Sequence, residues 1–155
     1  NNYYVLDIER FKTNLISEYF DRILRTHMKW GYNKLRAEVT QAQSMIVKDI
    51  KENYIRKYGL ALSVDDNNPK KKSKEERIDA ALQPKYYNRQ IWHFMGGNCE
   101  LLEEELVNQR PQHDDIKDAL ASCMEITVAP SFIGNNTVSH ERKAQSTFNT
   151  RFGGY

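Results

Sequence analysis

The stretch Lys34-Leu35-Arg36-Ala37-Glu38-Val39 decides how the chain is read. Leu35, Ala37 and Val39 alternate with Lys34, Arg36 and Glu38, the two-residue period of a strand with one apolar and one charged face. Before it, Leu15, Ile16, Tyr19, Phe20, Ile23 and Leu24, with His27 or Met28, recur at helical spacing, with Thr13 or Asn14 as cap and Gly31 as stop. After it, Ile46, Val47, Ile50, Tyr54 and Tyr58 mark a second helix, ended by Gly59. Residues 3–11 (Tyr-Tyr-Val-Leu-Asp-Ile-Glu-Arg-Phe) are β-branched and aromatic and read as a further strand. The order strand, helix, strand, helix predicts parallel crossovers and an α/β architecture, a mixed sheet flanked by helices in which residues 34–39 form an inner strand. Glu38 then stands next to last on its strand, at the carboxyl end where open α/β sheets bind ligands. An edge strand with one wet face is the alternative.

Further along, residues 60–64 suggest a short strand, and Asp65-Asp-Asn-Asn-Pro-Lys-Lys-Lys-Ser-Lys74 has the composition of an exposed loop. A helix over residues 73–82 should stop before Pro84. Residues 86–94, with Arg89 and Trp92, read as a strand, and Gly96-Gly97 leads into a helix over 98–108. Pro111 separates that helix from an acidic one. Trp30, Trp92 and the tyrosines lie in periodic segments and are expected to pack in the core and on the sheet. Beyond Thr127 the periodicity is lost, so residues 1–127 are read as the domain and 128–155 as an extended or disordered tail.

At 155 residues with 28% charged side chains, the chain fits one soluble domain. No apolar run is long enough for a membrane span, and the N-terminus has no signal-peptide pattern. Cys99 and Cys123 lack zinc spacing and suit buried thiols in a reducing, cytosolic setting. A net charge of +2 does not by itself announce nucleic-acid binding, so any basic surface must be local. No phosphate-binding P-loop motif occurs.

The acidic helix begins His113-Asp114-Asp115-Ile116-Lys117-Asp118-Ala119-Leu120. Ile116, Ala119, Leu120, Cys123 and Thr127 form an apolar stripe, with Asp114, Asp115 and Asp118 on roughly the opposite side. Acids in a first turn offset the helix dipole, and Asp is a favoured N-cap, so capping alone accounts for them. Joined with Glu38, however, Asp115 and Asp118 make a set of hard oxygen ligands without histidine or thiolate pairs, which suits magnesium or manganese. His113 either orients a phosphate or water or is a plain surface histidine. Lys70, Lys71, Lys72, Lys74 and Arg77 form the one basic run, either a solvated loop or an edge that grips DNA phosphates, with Lys85 and Arg89 as possible additions.

These motifs resemble the nuclease domain of viral and phage large terminase subunits, a ribonuclease H-like fold related to Holliday-junction resolvases. The matching features are Tyr4-Val-Leu-Asp-Ile-Glu-Arg10, Leu35-Arg-Ala-Glu-Val39, Ser73-Lys-Glu-Glu-Arg-Ile78 and His113-Asp-Asp-Ile-Lys-Asp-Ala119, spanning residues 3–124. The resemblance implies that Glu38 and Asp115 hold metal and that Asp118 is a ligand or a close supporting acid, with Asp114 as the fallback ligand. It implies two-metal hydrolysis of double-stranded DNA in the host-cell cytoplasm, with an ATPase motor on the same polypeptide and the portal and small terminase subunit as partners. In that family the first acid lies on the first strand, which has no counterpart here, so the sheet is expected to lack it. Asp7 matches a family position filled by Asp for reasons other than metal binding. A resolvase-like nuclease and a non-catalytic DNA-binding or assembly module are the competing readings. If the nuclease reading is right, Glu38, Asp115 and Asp118 must meet at one cleft.

Overall fold

The structure is a computed structural model that describes residues 1–38, 44–65, 73–108 and 111–128. In chain order its elements are β1 (Tyr3–Val5), α1 (Ile16–Trp30), β2 (Lys34–Arg36), α2 (Ser44–Asp49), which continues as a π-helix over Ile50–Ile55, β3 (Ser63–Asp65), α3 (Lys74–Tyr87), β4 (Ile91–His93), α4 (Asn98–Val107) and α5 (Asp115–Ile126). The mixed α/β class and the parallel pairing agree with the alternation of strands and helices. The single sheet does not. β1 pairs with β4, and β2 pairs with β3, in two separate two-stranded parallel sheets. Among the described residues β2 therefore has one neighbour and is not an inner strand.

Each sheet has its own apolar core. Ile50, Ile55 and Leu62 are buried beneath β2–β3, with Ile16 and Ile23 of α1 and Leu35 packed against them. Ile78, Leu82, Ile91, Leu102, Ile116, Leu120 and Ala121 form the second core, where α3, α4 and α5 meet β1–β4. α1 follows its periodicity: Phe20 is buried against Tyr54, with ring centroids 4.2 Å apart. Gly31 ends that helix in the left-handed region (φ 63°) and donates to the His27 carbonyl, a conformation a side chain would strain. The N-cap is Leu15, not Thr13 or Asn14; the Thr13 hydroxyl instead accepts from the Leu15 N–H.

The strands are shorter than the hydrophobic pattern predicts, because a strand lasts only as long as its partner. Residues 6–11 leave the sheet after Val5, and Glu38 lies two residues past the end of β2. Tyr86 and Tyr87 belong to α3, which runs through Pro84 instead of stopping before it. Pro84 lies in the last turn, where the missing N–H removes one intrahelical bond and its own carbonyl still accepts from Asn88. Trp30 and Trp92 are not core residues, being 40% and 50% exposed. Of the two free thiols Cys99 is buried, whereas Cys123 is exposed. Lys70, Lys71 and Lys72 lie outside the described residues, as does the expected tail apart from Val128.

Candidate functional site

α3 begins with a full capping box: the Ser73 hydroxyl accepts from the Glu76 N–H at 3.2 Å, and the Glu76 carboxylate accepts from the Ser73 N–H at 3.4 Å. This anchors the first turn, so that Lys74 and Arg77, three residues apart, present their cations on one face toward α5. α5 is held differently. Asp114 occupies its N-cap position but makes no side-chain cap bond. The cap comes from α4, where the buried Glu105 carboxylate accepts from both the Ile116 and Lys117 N–H groups at 2.9 Å. A side-chain cap bond therefore does not explain Asp114, while Asp115 and Asp118 still stand in the first turn, where acids offset the helix dipole.

Asp118 is buried, with only 6% of its side chain exposed. This corrects the expected pattern of α5, in which Asp118 lay on a solvent face and Ala119 and Cys123 on the core face. The buried residues are Ile116, Asp118, Leu120, Ala121 and Ser122, while Ala119 and Cys123 are exposed. A carboxylate tolerates such burial only when it is paired and hydrogen-bonded. Arg77 of α3 pairs with it directly, donates to the Ser122 hydroxyl at 2.9 Å, and reaches the Glu38 carboxylate at 3.7 Å. Lys74 bridges Asp114 at 2.9 Å and Asp118 at 3.3 Å.

Glu38, Asp115 and Asp118 line one cavity of about 450 Å3, together with Arg36, Lys74, Ala119, Ser122 and Cys123. Residues remote in sequence thus converge, brought together by the end of β2, the start of α3 and the first turns of α5. Arg36 closes the back of the group, pairing with Glu125 of α5 and with Asp65 of β3 at 2.9 Å. Asp115 also borders a larger cavity of about 890 Å3, which shares Ala119 and Cys123 of α5 with the first. Its walls include Ile8, Arg10, Phe11, Lys12 and His113. Asp7 stands apart from the acid cluster in its bonding: it accepts from Lys29 at 2.8 Å and from the Trp30 indole at 3.0 Å, tying the segment after β1 to the end of α1.

The charges are mutually adjusted. The Lys74 hydrogen bond holds the Asp114 carboxyl below its ordinary value, against a smaller opposing effect of burial. Burial works to lower the Lys74 ammonium, but the Asp114 hydrogen bond and the Asp118 charge outweigh it, and its pKa is raised. For Arg36, too, burial is opposed and exceeded by Asp65 and Glu125.

The donor set of the cavity, three carboxylates, fits a hard divalent cation. Among the described residues no three histidine, cysteine, aspartate or glutamate side chains stand close enough to hold one metal ion as they are now spaced. Lys74 and Arg77 take up the Asp118 oxygens instead. Sequence reasoning assigned these two cations to DNA and missed Ser122 and Glu105 altogether. Arg77 falls three residues after Lys74, and Ser122 four after Asp118, so each pair could be placed on one helix face. Nothing in the sequence says that those two faces meet. Comparison of the chain with protein-family models, with characterised proteins and with solved structures finds no match.

Proposed function

We propose that this chain is a divalent-metal-dependent endonuclease domain of the DNA-packaging terminase kind, with a ribonuclease H-like arrangement, acting on double-stranded DNA. The observation that supports it is the convergence of Glu38, Asp115 and Asp118 on one cavity. Helix capping would demand nothing of Glu38, and a solvated acidic face would not bury Asp118. By the resemblance of its motifs, the domain would work beside an ATPase motor on the same polypeptide, with the portal and small terminase subunit as partners, in the host cytoplasm. No helix among the described residues is long and apolar enough to cross a membrane.

In this reading Glu38, Asp115 and Asp118 hold Mg2+ or Mn2+, with Asp114 next to them. The chemistry a pair of such ions supplies when bound is activation of a water and neutralisation of the leaving 3′ oxygen. The chain itself contributes placement. Arg77, itself held by the Ser122 hydroxyl, fixes Asp118, Glu105 fixes the turn that carries Asp115, and exposed Asp115 and Glu38 leave the cavity open to a phosphodiester. Lys70, Lys71 and Lys72 are proposed to grip the DNA backbone.

A second reading is favoured by the pairing of the acids with Lys74 and Arg77. A non-catalytic DNA-binding module would use the same charges as a staple between α3 and α5. Incubation of supercoiled plasmid and of a four-way junction with Mn2+ separates the readings. Cleavage of plasmid that is lost in Asp115→Asn supports the nuclease, and a marked preference for the junction points to a resolvase-like enzyme. A gel shift without cleavage overturns the nuclease and resolvase-like readings and supports the binding module.

A further inference from the structure

The two oxygens of Asp118 are held by different cations. Arg77 takes Oδ1, and Lys74 Nζ lies 3.3 Å from Oδ2 while also 2.9 Å from Asp114 Oδ1. Any metal ion that uses Asp118 must come close to both positive charges, and like charges at such separations repel. One of them has to yield.

The two are not equally held. The Arg77 side chain is 11% exposed and is committed to Asp118, Ser122 and the neighbourhood of Glu38, through a planar fork that loses several bonds if it turns away. The Lys74 side chain is 43% exposed, and its described bonds are two ion pairs at the open edge of the cavity. It is the first residue of α3, so its flexible stem can swing outward without disturbing the helix ladder.

From this asymmetry we infer that Lys74 is the resident counter-cation of the acid cluster, displaced when a divalent ion enters, while Arg77 stays as the positioning residue of Asp118. The inference rests on the metal-binding reading above and adds its regulation. Without metal, Lys74 keeps Asp114 and Asp118 from repelling one another. With metal, the ammonium is released at the edge of the cavity, where a DNA phosphate is its natural new partner. Metal and DNA binding then support each other, and the coupling is reciprocal.

The test is a Mn2+ titration, following free Mn2+ by electron paramagnetic resonance, of the unmodified chain and of Lys74→Met, Lys74→Gln and Asp118→Asn. Removing an exposed competing ion pair should tighten Mn2+ binding by roughly two- to fivefold in both Lys74 variants. Asp118→Asn should lose the site. Binding to the Lys74 variants alone, with none to the unmodified chain, overturns displacement, because Lys74 then excludes the ion instead of yielding to it. Equal or weaker affinity in both Lys74 variants, with Asp118 dependence kept, overturns the inference and leaves the metal reading standing. Absence of any Asp118-dependent Mn2+ binding in all of them overturns the metal reading, and the inference with it.

Discussion

Glu105 offers the sharpest test of how the site is built. It lies on α4, is only 4% exposed, and one of its carboxylate oxygens accepts both the Ile116 and Lys117 N–H groups at 2.9 Å. Those are orphan donors of the first turn of α5, and no side chain of that helix caps them. Glu105→Ala removes two charge-assisted bonds and the favourable interaction with the helix dipole. Against that loss stands the other oxygen, buried without a hydrogen-bond partner among the described residues, whose desolvation the native fold bears and the alanine variant escapes. The balance is a destabilisation of about 2–4 kcal/mol, with water able to reach the half-buried Lys117 N–H more easily than the buried one at Ile116. Glu105→Gln keeps an acceptor and the shape but loses the charge, and should cost about 1 kcal/mol. Urea denaturation followed by circular dichroism measures both, and the midpoint should move without a change in slope. Hydrogen exchange should show the alanine variant losing protection first at the start of α5. An alanine variant within about 0.5 kcal/mol of the unmodified chain would refute the idea that α4 caps α5.

Asp118→Ala should be among the most destabilising single changes, by about 3–5 kcal/mol in the same denaturation assay, because it leaves the buried Arg77 guanidinium without its carboxylate. Asp115→Asn, at an exposed position, should change stability by less than about 1 kcal/mol while abolishing Mn2+-dependent plasmid cleavage. Changing Lys70, Lys71 and Lys72 together to Ala should weaken duplex DNA binding irrespective of sequence and flatten its log–log salt slope by up to about 0.9 for each phosphate no longer neutralised; an unchanged slope leaves those three lysines no part in DNA binding. Asp7 and Asp114 are both held below the ordinary carboxylate value of 3.8, by Lys29 and Lys74 respectively. Their contribution to stability is therefore present above that value and lost as pH falls through the lower, folded-state one. Acid titration monitored by circular dichroism should show Lys29→Met and Lys74→Met losing less stability below about pH 4 than the unmodified chain does.

Local periodicity was enough for α1 with its Gly31 stop, for the order of strands and helices, and for Asp114, Asp115 and Asp118 at the head of an acidic helix, because each is encoded within a few neighbouring residues; parallel pairing followed from that order, but which strands pair did not. Strand ends were not legible: residues 6–11 and Glu38 have strand-like neighbours, but a ladder stops where its partner stops. Pro84 misled for a related reason, since its cost depends on how much helix remains after it, and here only the last turn does. Tertiary structure alone decided that one face of α3 meets α5, and with that which acids are neutralised and by what. Asp118 is buried where Arg77 of α3 meets it, a guanidinium held in turn by the Ser122 hydroxyl, and α5 starts where it does because Glu105 of α4 reaches its first N–H groups. Helical periodicity reports that a residue lies on a face; the partner across that face belongs to another segment, and only packing brings the two together.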